Sequence, residues 1–347
     1  VAAFRPNGAF GPDGPLLLGI GMIAALISAG AWLHVATHLG LPVSTTHSIV
    51  GAIVGVGVAA FGLSGVDWAM LLQIVLSWVV SPVLGGVLAY LSFIAVRRLI
   101  LDNEDPIAAT RRIGPYLVGF VVTIIVLSVI YKALANVLDD PPFALALGAS
   151  LAVGALFAAL TALFMRSFQP DGSNPYVFVE RNFAILQIAT ACFVAFAHGA
   201  NDVANAIGPL AAVVDLYRTG FAAVPTEVPV PIWVLVLGGT GIVIGLATYG
   251  YKVIGTIGSQ ITEITPTRGF AAEFGAASTV LVASRIGLPV STTHTLVGAV
   301  IGVGFARGLA ALNMRVIRNI ANSWLATVPA AAIVAAVLFL IARLIVL

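Results

Sequence analysis

The chain has 347 residues, 60% of them hydrophobic and only 9% charged, with a formal net charge of +2 and a mean hydropathy of +1.09. These values exclude a soluble globular domain and offer no basic surface for nucleic acid. The single cysteine, Cys192, excludes an internal disulfide framework and any multi-cysteine metal or iron–sulfur centre. Repeated runs of about 20 apolar residues, each able to cross a hydrocarbon core of about 30 Å, predict an all-α polytopic protein of the lipid bilayer. With 36 glycines and 18 prolines, many of its helices are expected to be broken or closely packed.

Residues 1 to 14 read as a Pro/Gly/Asn loop. The first residue is Val1 and no secretory signal follows it, so the sequence is expected to begin part-way through its gene. A first span covers 15 to 37 and ends in His34 and His38. Gly40 and Pro42 then interrupt the apolar run, and Ser44, Thr45 and Thr46 fall where they can cap and line a new helix. Residues 47 to 61 are too few for a comfortable crossing and predict a re-entrant or half-helix. A long span over 67 to 96 contains Ser81-Pro82. The loop predicted at 97 to 112 holds Arg97, Arg98, Arg111 and Arg112, and the next, at 136 to 142, follows Lys132 and holds Asp139 and Asp140. This bias places the first loop in the cytoplasm and the second outside.

Spans at 113 to 135 and 143 to 165 follow, and a loop at 166 to 182 with Gln169-Pro170-Asp171-Gly172 joins two halves. An apolar stretch from 183 runs into His198-Gly199-Ala200-Asn201-Asp202-Val203-Ala204-Asn205, predicted to be a polar break whose glycines, 199 and 208, permit an unwound backbone. After the Pro-rich loop at 225 to 231, spans are expected at 232 to 256 and 320 to 347, with a small-residue helix from Gly269 to Ala283 carrying Glu273 between them. The organisation is therefore an N-terminal repeat over 1–112, connecting spans over 113–182 and a C-terminal repeat over 183–347, together one transmembrane unit.

The repeat is explicit. Gly40-Leu41-Pro42-Val43-Ser44-Thr45-Thr46-His47 recurs letter for letter as Gly287-Leu288-Pro289-Val290-Ser291-Thr292-Thr293-His294, and Val50-Gly51-Ala52 recurs as Val297-Gly298-Ala299. A helix starting inside the membrane exposes unpaired N–H groups at the positive end of its dipole, and flanking hydroxyls add donors without charge. Two such starts facing each other would present Ser44, Thr45, Thr46, Ser291, Thr292 and Thr293 to one tetraoxyanion; alternatively these hydroxyls bond back to their own helices. Asp202 is costly at membrane depth, which marks it as functional, and Asn201 and Asn205 offer the carbonyl oxygens a hard cation takes; a helix cap is the other reading. Glu273 reads either as a second cation or proton site or as a partner of Arg268 or Arg285. His34 and His38 read as structural, whereas His47 and His294, at matching repeat positions, are candidates for a gate or proton relay.

The duplicated Gly-Leu-Pro-Val-Ser-Thr-Thr-His, joined to Gly199-Ala200-Asn201-Asp202-Val203-Ala204-Asn205-Ala206, resembles the inorganic phosphate transporter (Pit) family of secondary carriers. The likeness runs from about residue 15 to the end. It implies two inverted repeats and phosphate held near the midplane by Ser44 to Thr46, Ser291 to Thr293 and the Asn201-Asp202 pair. It also implies uptake driven by Na⁺ or H⁺ without a cofactor, with Asn201, Asp202 and Asn205 as phosphate or cation ligands. Metal–phosphate is a further substrate form, a cell or inner membrane the expected location, and both a lone carrier and a homodimer fit. The family carries a Gly-Ala-Asn-Asp element in each half, and here only the copy at 199 to 202 is present; the other is expected ahead of Val1. Alternating access is expected to rock one repeat against the other.

Three rivals remain at this stage. A sulfate carrier would use the same scaffold, although phosphate at neutral pH can donate a hydrogen bond to Asp202 and sulfate cannot. A passive anion channel fits the paired broken segments less well. An enzyme is disfavoured by the absence of a zinc motif, and no carboxylate is evident to orient His47 beside Ser44.

Overall fold

A computed structural model describes residues 13–133, 141–167, 174–225 and 228–347. The predicted loop at the start of the chain, the acidic part of the loop at 136 to 142 and Gln169-Pro170-Asp171-Gly172 lie outside the described residues or almost wholly so. Among the described residues seven helices are long and apolar enough to span a membrane.

Each repeat is built by the same local rules. In the first, α1 (Gly14–His38) ends at Gly40 with φ +68°, Ser44 caps α2 (Thr45–Phe61), and Gly62, again at φ +68°, turns the chain through a single 3₁₀ turn into α3 (Trp68–Val96), capped by Asp67. A positive φ is cheap only for glycine, which is why the break recurs where glycine does. Four spans intervene: α4 (Pro106–Ser128), α5 (Phe143–Ser167), α6 (Pro175–Arg218) and α7 (Ile232–Gly245, continued with π-helical turns to Gln260). The second repeat then restates the first. Gly287 closes α8 (Pro266–Arg285), Ser291 caps α9 (Thr292–Arg307), Gly308 opens a 3₁₀ turn, and Asn313 caps α10 (Met314–Val346). Four crossings separate the repeats, so α3 ends and α8 begins on one face. The α1–α2 and α8–α9 hairpins therefore enter from opposite faces, which is the inverted arrangement.

Two expectations change. The predicted loop at 97 to 112 is mostly helix: α3 continues through a π-helical turn at Arg97–Leu101, and α4 begins at Pro106 because Asp105 accepts from the N–H groups of Ile107 and Ala108. Arginines there read as a loop, but their long stems let a helix carry them to the interface. The second change is at Asn201-Asp202, where α6 runs unbroken for 44 residues with Pro209 inside it. Gly199 and Gly208 permit unwinding but do not impose it, and the backbone carbonyls expected to join the site stay in the helix.

The packing between elements is set by the tertiary structure. Each re-entrant helix lies not on its own repeat's long helix but on the other's: α2 on α10, and α9 on α3. Without a hydrophobic drive between helices in lipid, close backbone approach decides such pairs. At Gly51 a Cβ would fall 2.7 Å from the carbonyl oxygen of Val328, and at Gly298 it would meet the backbone of Pro82. Among the described residues two larger apolar cores result, beside a small third one around Phe193 and Val280. Of the larger two, one gathers Phe93, Phe183, Phe270 and Val300 from α3, α6, α8 and α9; the other gathers Met22, Val56, Leu216 and Phe339 from α1, α2, α6 and α10.

Candidate functional site

The two helix starts meet α6 at one carboxylate. Asp202, 5% exposed, accepts at Oδ2 from Thr45 Oγ1 at 3.0 Å and from Thr292 Oγ1 at 2.8 Å, one hydroxyl from each copy of the motif. Oδ1 accepts from Asn201 Nδ2 at 2.7 Å, and His198 Nε2 lies 2.9 Å from Oδ2 one helical turn earlier. Asn201 also donates to Val290 O at 3.2 Å and accepts from Ser284 Oγ at 3.2 Å. Asn205, one turn after Asn201 on the same face, donates to Thr45 Oγ1 at 3.2 Å and Thr46 Oγ1 at 3.1 Å.

Ser44 and Ser291 play identical local parts. Each accepts the backbone N–H three residues on, at 3.2 Å from His47 and 3.1 Å from His294, and so caps its helix start. The remaining first-turn N–H groups have no acceptor within their own helix and form the positive end of its dipole. Charge-neutral donors thus converge from two helices on one carboxylate, an arrangement that can hold a small oxyanion, or a cation beside the carboxylate.

Not every predicted residue joins this cluster. The Thr293 side chain enters none of the described hydrogen bonds. Glu273 lies eleven residues before Ser284 on α8, about 16 Å along the helix axis from the Asn201 contact. It pairs with neither candidate arginine: its Oε2 accepts from Thr190 Oγ1 at 2.6 Å on α6, with Gln187 alongside, whereas Arg268 bonds to Glu263 and Arg285 lies over the Tyr131 ring. His47 and His294 face each other rather than Asp202. The imidazole on the carboxylate belongs to His198, which carried no predicted role; its i,i+4 spacing from Asp202 was the available signal. Among the described residues no group of three or more His, Cys, Asp or Glu could hold a metal ion.

Inverted repeats, re-entrant motif helices and a buried carboxylate bridging them are the architecture of a membrane transport protein rather than an enzyme. Residues 5–335 match the phosphate transporter family, to which the chain belongs. It is 47% identical to a Pyrococcus furiosus protein named as a phosphate permease, over 94% of this chain and 77% of that one. It is 42% identical to the chloroplastic inorganic phosphate transporter 2-1 of Arabidopsis thaliana, over 93% of this chain and 58% of the other. A solved structure described as the sodium-dependent phosphate transporter superposes with a TM-score of 0.89 at 40% identity, covering 99% of this chain and 84% of that one.

Proposed function

We propose that this protein imports inorganic phosphate across a cell membrane by symport with a cation, Na⁺ in preference to H⁺. The observation that carries the reading is that one buried carboxylate, Asp202, accepts hydroxyls from both Ser-Thr-Thr motifs at once. Phosphate and that carboxylate are both anions seeking the same donors. A cation seated against Asp202, with the amide oxygens of Asn201 and Asn205, offsets the repulsion and frees the Thr45 and Thr292 hydroxyls to turn to substrate. Binding of cation and phosphate is thereby coupled through shared atoms.

In this reading Ser44, Thr45, Thr46, Ser291, Thr292 and Thr293 ligate phosphate, joined by Asn201 and by Asp202 as acceptor of the phosphate's own proton. That last contact disfavours sulfate, which has no proton to give at neutral pH. Glu273 is a second, separate cation site: a carboxylate in a membrane helix with hydroxyl and amide neighbours and no cationic partner among the described contacts. The solved relative described as sodium-dependent supports Na⁺.

The test is radiolabelled phosphate uptake into proteoliposomes, with Na⁺ and pH gradients imposed separately and excess sulfate as competitor. Uptake that follows the Na⁺ gradient and resists sulfate is expected. Uptake abolished by sulfate would move the assignment to a sulfate carrier, and flux indifferent to both gradients would remove the coupling role from Asp202.

A further inference from the structure

Four rings form a column between the two motif helices: Trp78 of α3, His47 of α2, His294 of α9 and Trp324 of α10. Successive centroids are 3.6, 4.2 and 3.6 Å apart, with planes at 35°, 74° and 22°. His47 is 5% exposed and His294 3%, and Trp78 is buried with them. Because α2 packs on α10 and α9 on α3, every ring contact crosses from one packed pair to the other.

Two details bear on what the column does. The imidazoles of His47 and His294 are buried and enter none of the described side-chain hydrogen bonds; the backbones of Trp324 and Trp78 lie beside them. The rings are also tied to the anion site through the backbone. The residue that places each imidazole in the column gives its N–H to the motif serine, and Thr46 Oγ1 of the first motif bonds to Val290 O of the second at 3.4 Å. Trp324 Nε1 and Ser77 Oγ hold Pro42 O and Pro289 O, the carbonyls just before each motif's hydroxyls, at 2.8 and 2.9 Å. A shift of the rings therefore moves both helix starts.

We propose that Trp78, His47, His294 and Trp324 are positioning residues that fix the separation of the two Ser-Thr-Thr helix starts, and through it phosphate affinity, with the imidazoles serving as flat packing rings. The two helix starts then travel together during transport. This inference rests on the phosphate reading of the site.

The test compares His47→Phe, which keeps a ring and loses the nitrogens, with His47→Ala, which loses the ring. In proteoliposomes at saturating Na⁺, His47→Phe is expected to hold phosphate KM and the pH profile of uptake within threefold of wild type. His47→Ala is expected to raise KM at least tenfold while Vmax per folded carrier changes less than threefold. Equal losses in both variants, or a shifted pH profile in His47→Phe, would restore the relay and overturn the proposal; a lowered Tm with KM unchanged would reduce the column to a structural element. If His47→Ala does not fold, His47→Leu is read in the same way.

A second readout does not depend on which anion is carried. In a Cys192→Ser background, spin labels on Leu63→Cys and Leu309→Cys, both well exposed beyond the far ends of α2 and α9, report the spread of distances between the two helices in detergent. A narrow distribution is expected in the parent and in His47→Phe, and a broadened one in His47→Ala. Equal widths would overturn the column even if phosphate uptake were abolished, whereas broadening in a protein that carries no phosphate would sink only the phosphate reading.

Discussion

Asp202→Asn tests the site most directly, because it changes charge with almost no change in shape. The wild-type carboxylate takes four contacts of 2.7 to 3.0 Å, from Thr45, Thr292, Asn201 and His198. A hydrogen bond to a charged group contributes about 1.5–3 kcal/mol and a neutral one about 0.5–1.5. With the amide oxygen at the Oδ2 position, the contacts from Thr45, Thr292 and His198 weaken by about 1 kcal/mol each, and the –NH2 group at the Oδ1 position faces the Asn201 amide nitrogen, so that contact is lost at about 1.5–3 kcal/mol; the total is about 5 kcal/mol. Against this, a buried ion carries a desolvation penalty of several kcal/mol that the amide avoids. The two nearly cancel, and Tm is expected to move by only a few degrees. The cation has no such offset. A unit charge 4 Å from the carboxylate gains about 4 kcal/mol at an effective dielectric of 20, close to a thousandfold in affinity. Uptake of labelled phosphate measured against Na⁺ concentration should therefore lose saturation over any accessible range, while circular dichroism and gel filtration match wild type. A half-saturating Na⁺ concentration within threefold of wild type would refute the reasoning.

Thr45→Ala and Thr292→Ala each remove one hydroxyl donated to Asp202, and both should raise the phosphate KM about tenfold; a rise in only one would mean that the motifs do not share a site. Glu273→Gln should lower the Hill slope for Na⁺ while leaving phosphate KM at saturating Na⁺ within threefold, and an unchanged slope would reduce Glu273 to a clamp between α6 and α8. Gly51→Ala drives a Cβ onto the backbone of Val328 and is expected to cost about 1–3 kcal/mol, read as a lowered Tm. Gly241→Ala, which meets nothing within 4 Å, should hold or raise Tm; equal losses at the two sites would show that α2 and α10 do not rely on that approach.

The swapped packing bears on where the long helices can bend. α6 and α10 each pass from one of the larger apolar cores to the other, and each carries a proline near the crossing, Pro209 and Pro329. A proline inside a helix removes one backbone hydrogen bond and marks a point where the helix can bend.

Composition and repetition by themselves determined the membrane class, the existence and rough order of the spans, the short motif helices and their serine caps, because these follow from local rules: apolar length, glycine at positive φ, a hydroxyl at a helix start. They also marked Asp202, since a carboxylate at membrane depth stands out against any apolar run. Tertiary structure alone decided the rest. That α6 stays helical through Gly199 and Gly208 depends on neighbours satisfying Asn201 and Asp202, not on local propensity. That Glu273 lies far from Asp202, while His198 sits on it, depends on helix pairing. The column of Trp78, His47, His294 and Trp324 exists only because α2 and α9 exchange partners, and side chains far apart in sequence give no period by which that exchange could be read.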